Sequence, residues 1–213
     1  HFHFGAMNQR GHGQGIGSRR AFRLTDCAGD VAALVETLGV APAIIVGYSM
    51  GGPVAQLTWR DHPRAVSGLV LCATAASFPT TTPVRALISS IAFGVAMTPR
   101  RVRRQLLAAA LARGVATGDH REWLLDELSR HRMSDLIQAG RELGRYDALS
   151  WIGEVDVPTA VVVPTEDDVV PVHRQRALAE LIPGAVRREV GGDHLSIVDN
   201  AVEFVPALLA ACE

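Results

Sequence analysis

Lysine is absent from this chain: all 21 basic residues are arginine. Against them stand 22 acids, for a formal charge of -1. That balance excludes the basic surface that nucleic-acid binding requires. The arginine bias fits a GC-rich genome better than a binding function, because the acids offset it. Cysteine is scarce. Cys27, Cys72 and Cys212 are odd in number and widely spaced, with no Cys-x-x-Cys pair and no His/Cys cluster. That pattern argues against a disulfide framework and a metal site. Cys72 sits in an apolar run and reads as a small buried hydrophobe. No apolar run reaches the roughly 18 residues of a membrane-spanning helix, and no signal peptide is visible. A cytoplasmic protein is expected.

With 48% hydrophobic and 20% charged residues over 213 positions, the chain can build one domain around its own core. Phe2 to Met7 reads as a short strand entering the glycine-rich stretch Arg10 to Gly17. Thr25 or Asp26 can cap a helix with Val31, Leu34, Val35 and Leu38 as its apolar stripe, ended by Gly39. Ala43-Ile44-Ile45-Val46 is β-branched and compact, as in a buried parallel strand. A helix follows Ser49, with Val54, Leu57 and Thr58 on one face, and stops before Pro63. Val66 to Ala73 is the next strand.

From about Pro79 to Trp151 no strand pattern occurs. Helical stretches are expected near 84–97, 99–116, 119–131 and 134–147, broken at Pro99, Gly118 and Met133-Ser134. Arg100, Arg101, Arg103 and Arg104 cluster there and read as a solvated helix face rather than a site for an anionic tail or lipid headgroup. Alternation resumes with a strand at Thr159 to Val163, a helix from His173 to Leu181, a strand near Val186 to Val190, and a last helix from Asp199 to Ala211. This is an α/β fold: a mainly parallel sheet of about five strands flanked by helices. Residues 1–78 and 151–213 form the core, and 79–150 an all-helical cap insertion.

Gly47-Tyr48-Ser49-Met50-Gly51 follows one strand and opens one helix. In that setting a tight turn lifts a serine hydroxyl above the strand's carboxyl end, with the flanking glycines avoiding a clash. The helix N-terminus favours the negative charge that develops there. A serine needs a base to take its proton. His194, in Gly191-Gly192-Asp193-His194-Leu195, is the best placed. His173 and His62 lie at helix ends, His120 and His131 in the helical insertion, and His1 and His3 at the start. The base in turn needs an acid. Glu166, Asp167 and Asp168 follow the Thr159–Val163 strand and are all open candidates. Asp193 is a poor one, being adjacent to His194. The chain order Ser, Asp, His suits the strand-turn-helix elbow.

Gln9-Arg10-Gly11-His12-Gly13, the turn at Ser49, Glu166-Asp167-Asp168-Val169-Val170-Pro171 and Gly191-Gly192-Asp193-His194 together resemble the α/β-hydrolase superfamily. The resemblance is to bacterial hydrolases of the esterase and C–C hydrolase type with a helical cap, and it covers essentially the whole chain. In that family the acid stands four residues before the proline, which selects Asp167, with Asp168 as fallback. The resemblance implies an acyl-serine mechanism without cofactor or metal. Ser49 is the nucleophile, His194 the base, Asp167 its orienting acid, and the Met50 N–H an oxyanion-hole donor.

Asn8 and Gly15 depart from the family's usual Asp and Ser. Strands that the family places before the 2–7 segment have no counterpart here, so an N-terminally truncated version is expected. An unfilled lane would then separate 2–7 from 43–46, and the family's second oxyanion donor would be missing. The expected substrate is a small molecule with a hydrophobic acyl group. Leu87, Ile88, Ile91, Phe93, Leu106, Leu107 and Trp123 of the cap suggest a pocket for it, although most of them are expected simply to pack the cap helices together. Ester hydrolysis is the leading activity. C–C bond hydrolysis and perhydrolysis use the same triad, and a truncated, non-catalytic ligand-binding member is the reading from another class. Dehalogenase and epoxide hydrolase chemistry is disfavoured, because those branches carry Asp at the nucleophile position.

Overall fold

The computed structural model describes residues 2–17, 21–78, 102, 105 and 133–213. The helices expected over 84–97, 99–116 and 119–131, the four-arginine cluster and the seven apolar cap residues lie outside these. The chain divides into two compact units, residues 1–23 with 80–144 and residues 24–79 with 145–213.

In the first unit residues 9–16 close a compact loop. Gly11 N–H donates to Ile16 O, His12 N–H to Gln9 O and Gly15 N–H to His12 O. A Cβ on Gly15 would stand 2.1 Å from Gln9 O, so the serine common at this place in the family has no room here. The His12 ring packs edge-on against Phe22 at 5.3 Å. The Phe22 N–H donates to Gln138 of the helix Met133–Leu143. That helix is shorter than the expected 134–147, because the chain leaves it at Gly144, whose N–H closes on Gly140 O. Residues 2–7 form no strand. Phe2 and Phe4 are exposed there. An apolar hexapeptide holds a β conformation only when a ladder partner fixes it, and the expected strand fails for that reason.

The second unit holds a four-stranded, fully parallel sheet among the described residues, where about five strands are expected. Its strands are β1 (Ala43–Tyr48), β2 (Val66–Cys72), β3 (Thr159–Pro164) and β4 (Val186–Val190), side by side in that order. Ile45 lies beside Leu69, Val70 beside Ala160, and Val162 beside Arg188. The inner strands β2 and β3 are buried almost throughout, whereas β1 and β4 bury only part of their length. This is why β2 and β3 read as unbroken apolar runs. β4 carries Arg187, Arg188 and Glu189, charges that suit an edge.

Val70, Cys72, Val162 and Val190 on one face meet Phe204 from the chain's last helix and Cys212 just beyond its end. The opposite face receives α2 (Gly51–Asp61), and α1 (Leu24–Thr37) packs on α2. Gly52 through Trp59 of α2 are all buried, more than the one face that Val54, Leu57 and Thr58 outline. The buried stripe of α1 is Leu24, Cys27, Ala28, Ala32 and Val35. Leu38, expected inside, is exposed beyond the helix end. Small residues at 28 and 32 let the two helices approach closely, a criterion that apolarity alone does not capture. Gly39, at φ +66°, ends α1. The other α-helices given in full among the described residues are α3 (Met133–Leu143), α4 (Val172–Leu181), α5 (Ser196–Asp199) and α6 (Ala201–Ala211).

The segment after residue 145 is latched onto α2. The Tyr146 hydroxyl donates to Gln56 Oε1, and Gln56 Nε2 donates to Ala75 O. Trp59 stacks on Trp151 at 6.3 Å and donates to Asp156, while Arg60 lies over Trp151. The segment that leads into the amino end of β3 is thereby held against α2.

Candidate active site

Ser49 sits between β1 and α2 with φ +51°, a left-handed conformation rare for a residue with a side chain. Local bonds impose it. The Ser49 N–H donates to Cys72 O at 2.9 Å, and Ser49 O accepts from the Gly52 N–H and from the Thr74 hydroxyl, each at 2.9 Å. A Cβ on Gly47 would stand 2.3 Å from Gly51 O, and one on Gly52 would stand 2.1 Å from Thr74 Oγ1. Gly51, expected as one of two necessary glycines, has open space instead, with nothing within 4 Å among the described residues. The tight positions are Gly47 and Gly52, because the turn folds the start of α2 back over β1 and against Thr74. Met50 begins the helix at φ -58° and ψ -25°.

Ser49 Oγ lies 2.9 Å from His194 Nε2, and His194 Nδ1 lies 2.8 Å from Asp167 Oδ2. The Asp167 side chain is fully buried and that of His194 is 15% exposed. Glu166 and Asp168 are exposed. Asp193 is engaged elsewhere: its carboxylate accepts the Leu195 N–H, and its carbonyl the Ser196 N–H at the start of α5. The two loops are tied together below the imidazole. Thr165 N–H donates to Val190 O and Glu166 N–H to Gly192 O. Gly192, at φ +102°, supplies a conformation few other residues adopt. Asn200 and Glu203 secure Gly191 from below.

Asp167 is held by more than His194. Its Oδ1 accepts the N–H groups of Val169 and Val170, each at 2.9 Å. Its Oδ2 also accepts from Gln175 Nε2 at 2.9 Å. Gln175 belongs to no motif, yet Gln175, Leu178, Ala179 and Ile182 share the buried side of α4 at helical spacing. That spacing is the one sequence signal that could have found it. Tyr48 carries no sequence signal beyond its place in the turn. Its hydroxyl donates to His194 O, and its ring lies 5.7 Å from that of His194 and 5.7 Å from Phe204. Burial, then the charge of Asp167, pushes the Tyr48 phenol well above its ordinary value. It therefore stays a neutral donor. Among the described residues no group of three or more His, Cys, Asp or Glu is gathered to hold a metal ion.

A hydroxyl, an imidazole and a buried carboxylate in hydrogen-bonded sequence can activate an oxygen nucleophile at neutral pH. The family model described as Hydrolase_4, serine aminopeptidase S33, matches residues 1–190. The chain belongs to this α/β-hydrolase family. It is 31% identical over 185 residues to the pimeloyl-[acyl-carrier protein] methyl ester esterase of Chromobacterium violaceum, covering 84% of this chain and 73% of that protein. It is 25% identical over 216 residues to the poly(3-hydroxyalkanoate) depolymerase of Ectopseudomonas oleovorans, covering 96% of this chain and 72% of that protein. The crystal structure of a hydrolase from Pseudomonas aeruginosa superposes with a TM-score of 0.81 at 22% identity, over 95% of this chain and 76% of that one. This hydrolase thus shares its fold with the group, and it is an enzyme of ester-hydrolase type. No helix among its described residues is long and apolar enough to cross a membrane.

Proposed function

We propose that this hydrolase cleaves a carboxylic ester or related acyl substrate through an acyl-enzyme on Ser49. The unbroken Ser49–His194–Asp167 chain of hydrogen bonds carries the reading. His194 Nε2 takes the Ser49 proton as Oγ attacks the carbonyl carbon. The resulting oxyanion is received by the Met50 N–H at the start of α2, where the helix dipole also favours it. Asp167 accepts the Nδ1–H, so the imidazolium is stabilised while the proton is in transit. His194 returns that proton to the departing alcohol. Water then attacks the acyl carbon as His194 takes its proton, the bond to Ser49 Oγ breaks to release the acid, and His194 returns the proton to Oγ. Two relatives whose names describe a methyl ester esterase and a depolymerase support an ester as the substrate class. Residues 79–150 are proposed as the cap insertion of the fold.

Ser49→Ala is expected to abolish hydrolysis of a short p-nitrophenyl ester with unchanged circular dichroism. The same substitution should abolish labelling by a fluorophosphonate probe, which requires an activated serine. Turnover at the wild-type rate in this variant would remove Ser49 from the mechanism.

A further inference from the structure

Gln175 is fully buried, and its Nε2 donates to Asp167 Oδ2 at 2.9 Å and to Val170 O at 2.7 Å. A carboxylate and a carbonyl both only accept, so the amide can point only one way. Its own Oε1 is consequently left buried with no hydrogen-bond partner. A methionine or leucine of similar size would fill the same space without that cost. Packing therefore does not account for a glutamine here.

What the amide does gain is a grip on one atom. Asp167 Oδ2 is the oxygen that meets His194 Nδ1, and Gln175 is the only other group described as bonding to it. Oδ1 is already fixed by the N–H groups of Val169 and Val170. Those two bonds anchor one oxygen and leave the carboxylate free to rock about it. Gln175 removes that freedom, and by sharing Oδ2 it also limits how strongly Asp167 draws on the imidazole proton. We propose that Gln175 is a positioning residue that sets the placement and acceptor strength of Asp167 Oδ2 toward His194. This rests on the triad reading given above.

Gln175→Met removes the donor at nearly constant volume, and Gln175→Leu is the second variant. Each is expected to lower kcat about tenfold, since small misplacements of a catalytic group cost rate, with KM within about twofold. The downfield proton resonance of the His194 Nδ1–H should move in both. In an Asp167→Asn background the glutamine substitutions should add no further loss, because Gln175 acts through that carboxylate. Wild-type kcat with an unmoved resonance would overturn the proposal. So would an equal fractional loss in the Asp167→Asn background. Failure of both variants to fold would overturn it too, by making Gln175 a residue of stability. Ser49→Ala run alongside separates the two readings. If Ser49→Ala is dead and Gln175→Met behaves as wild type, only the role of Gln175 falls. If Ser49→Ala still turns over, the triad reading falls.

Discussion

Two adjacent glycines with opposite surroundings test the turn at Ser49 directly. A Cβ at position 51 meets open space among the described residues, whereas one at 52 runs into the Thr74 side chain. Gly51→Ala is expected to change stability by less than about 0.5 kcal/mol. Gly52→Ala should cost about 1–3 kcal/mol through overpacking, and should free Ser49 O from its Thr74 partner. Urea denaturation checks the first effect, and ester turnover in the folded fraction checks the second. Equal behaviour of the two variants would show that Thr74 does not constrain the turn. Tyr48→Phe keeps the ring between His194 and Phe204 but leaves His194 O without its phenolic donor. A loss of about 1 kcal/mol is expected, with a lower kcat because the loop bearing the base is less firmly held.

At the scale of an element, the strands differ by their place in the sheet and not by their composition. β1 and β3 are both rich in valine, isoleucine or alanine. Yet Val46 is 45% exposed on the edge strand, and Val162 is fully buried inside. Val162→Ala should destabilise the fold by about 2 kcal/mol, from two lost methyl groups and the cavity they leave. Val46→Ala should cost less than about 0.5 kcal/mol. Thermal melts of the pair decide it, and equal costs would mean that β1 is covered in solution. β4 sits at the other edge with Arg187 and Glu189 exposed, where the Arg176–Glu189 fork adds little because both groups remain open to solvent.

For the whole molecule, the two tyrosines give a single pH signature. Burial raises the phenols of both Tyr48 and Tyr146 well above the ordinary value of 10.0. The Cys72 thiol is likewise pushed up by burial, to about 12 from 9.0. The folded state keeps these protons where the unfolded chain releases them. Stability is therefore fully present below about pH 9 and falls as pH rises through the unfolded thiol and phenol values. Ultraviolet phenolate titration should show no step until the protein unfolds. A phenolate transition near 10 in the intact fold would contradict the burial of both rings.

The strand-turn-helix at Ser49, the Ser, Asp, His order and the parallel α/β alternation were legible in the sequence because each is local: spacing, period and turn chemistry act within a few residues. Which of the three carboxylates meets His194 could be reached from the sequence only through family spacing to Pro171. The rest waited on tertiary structure for a physical reason. Whether residues 2–7 are a strand depends on a partner far along the chain, and without one they are not. That Gly52 is indispensable depended on Thr74, which folds against the turn from β2's far end. That Asp167 alone is buried, and that Gln175 and Tyr48 close around Asp167 and His194, follows from helices and loops that meet only when the sheet has formed.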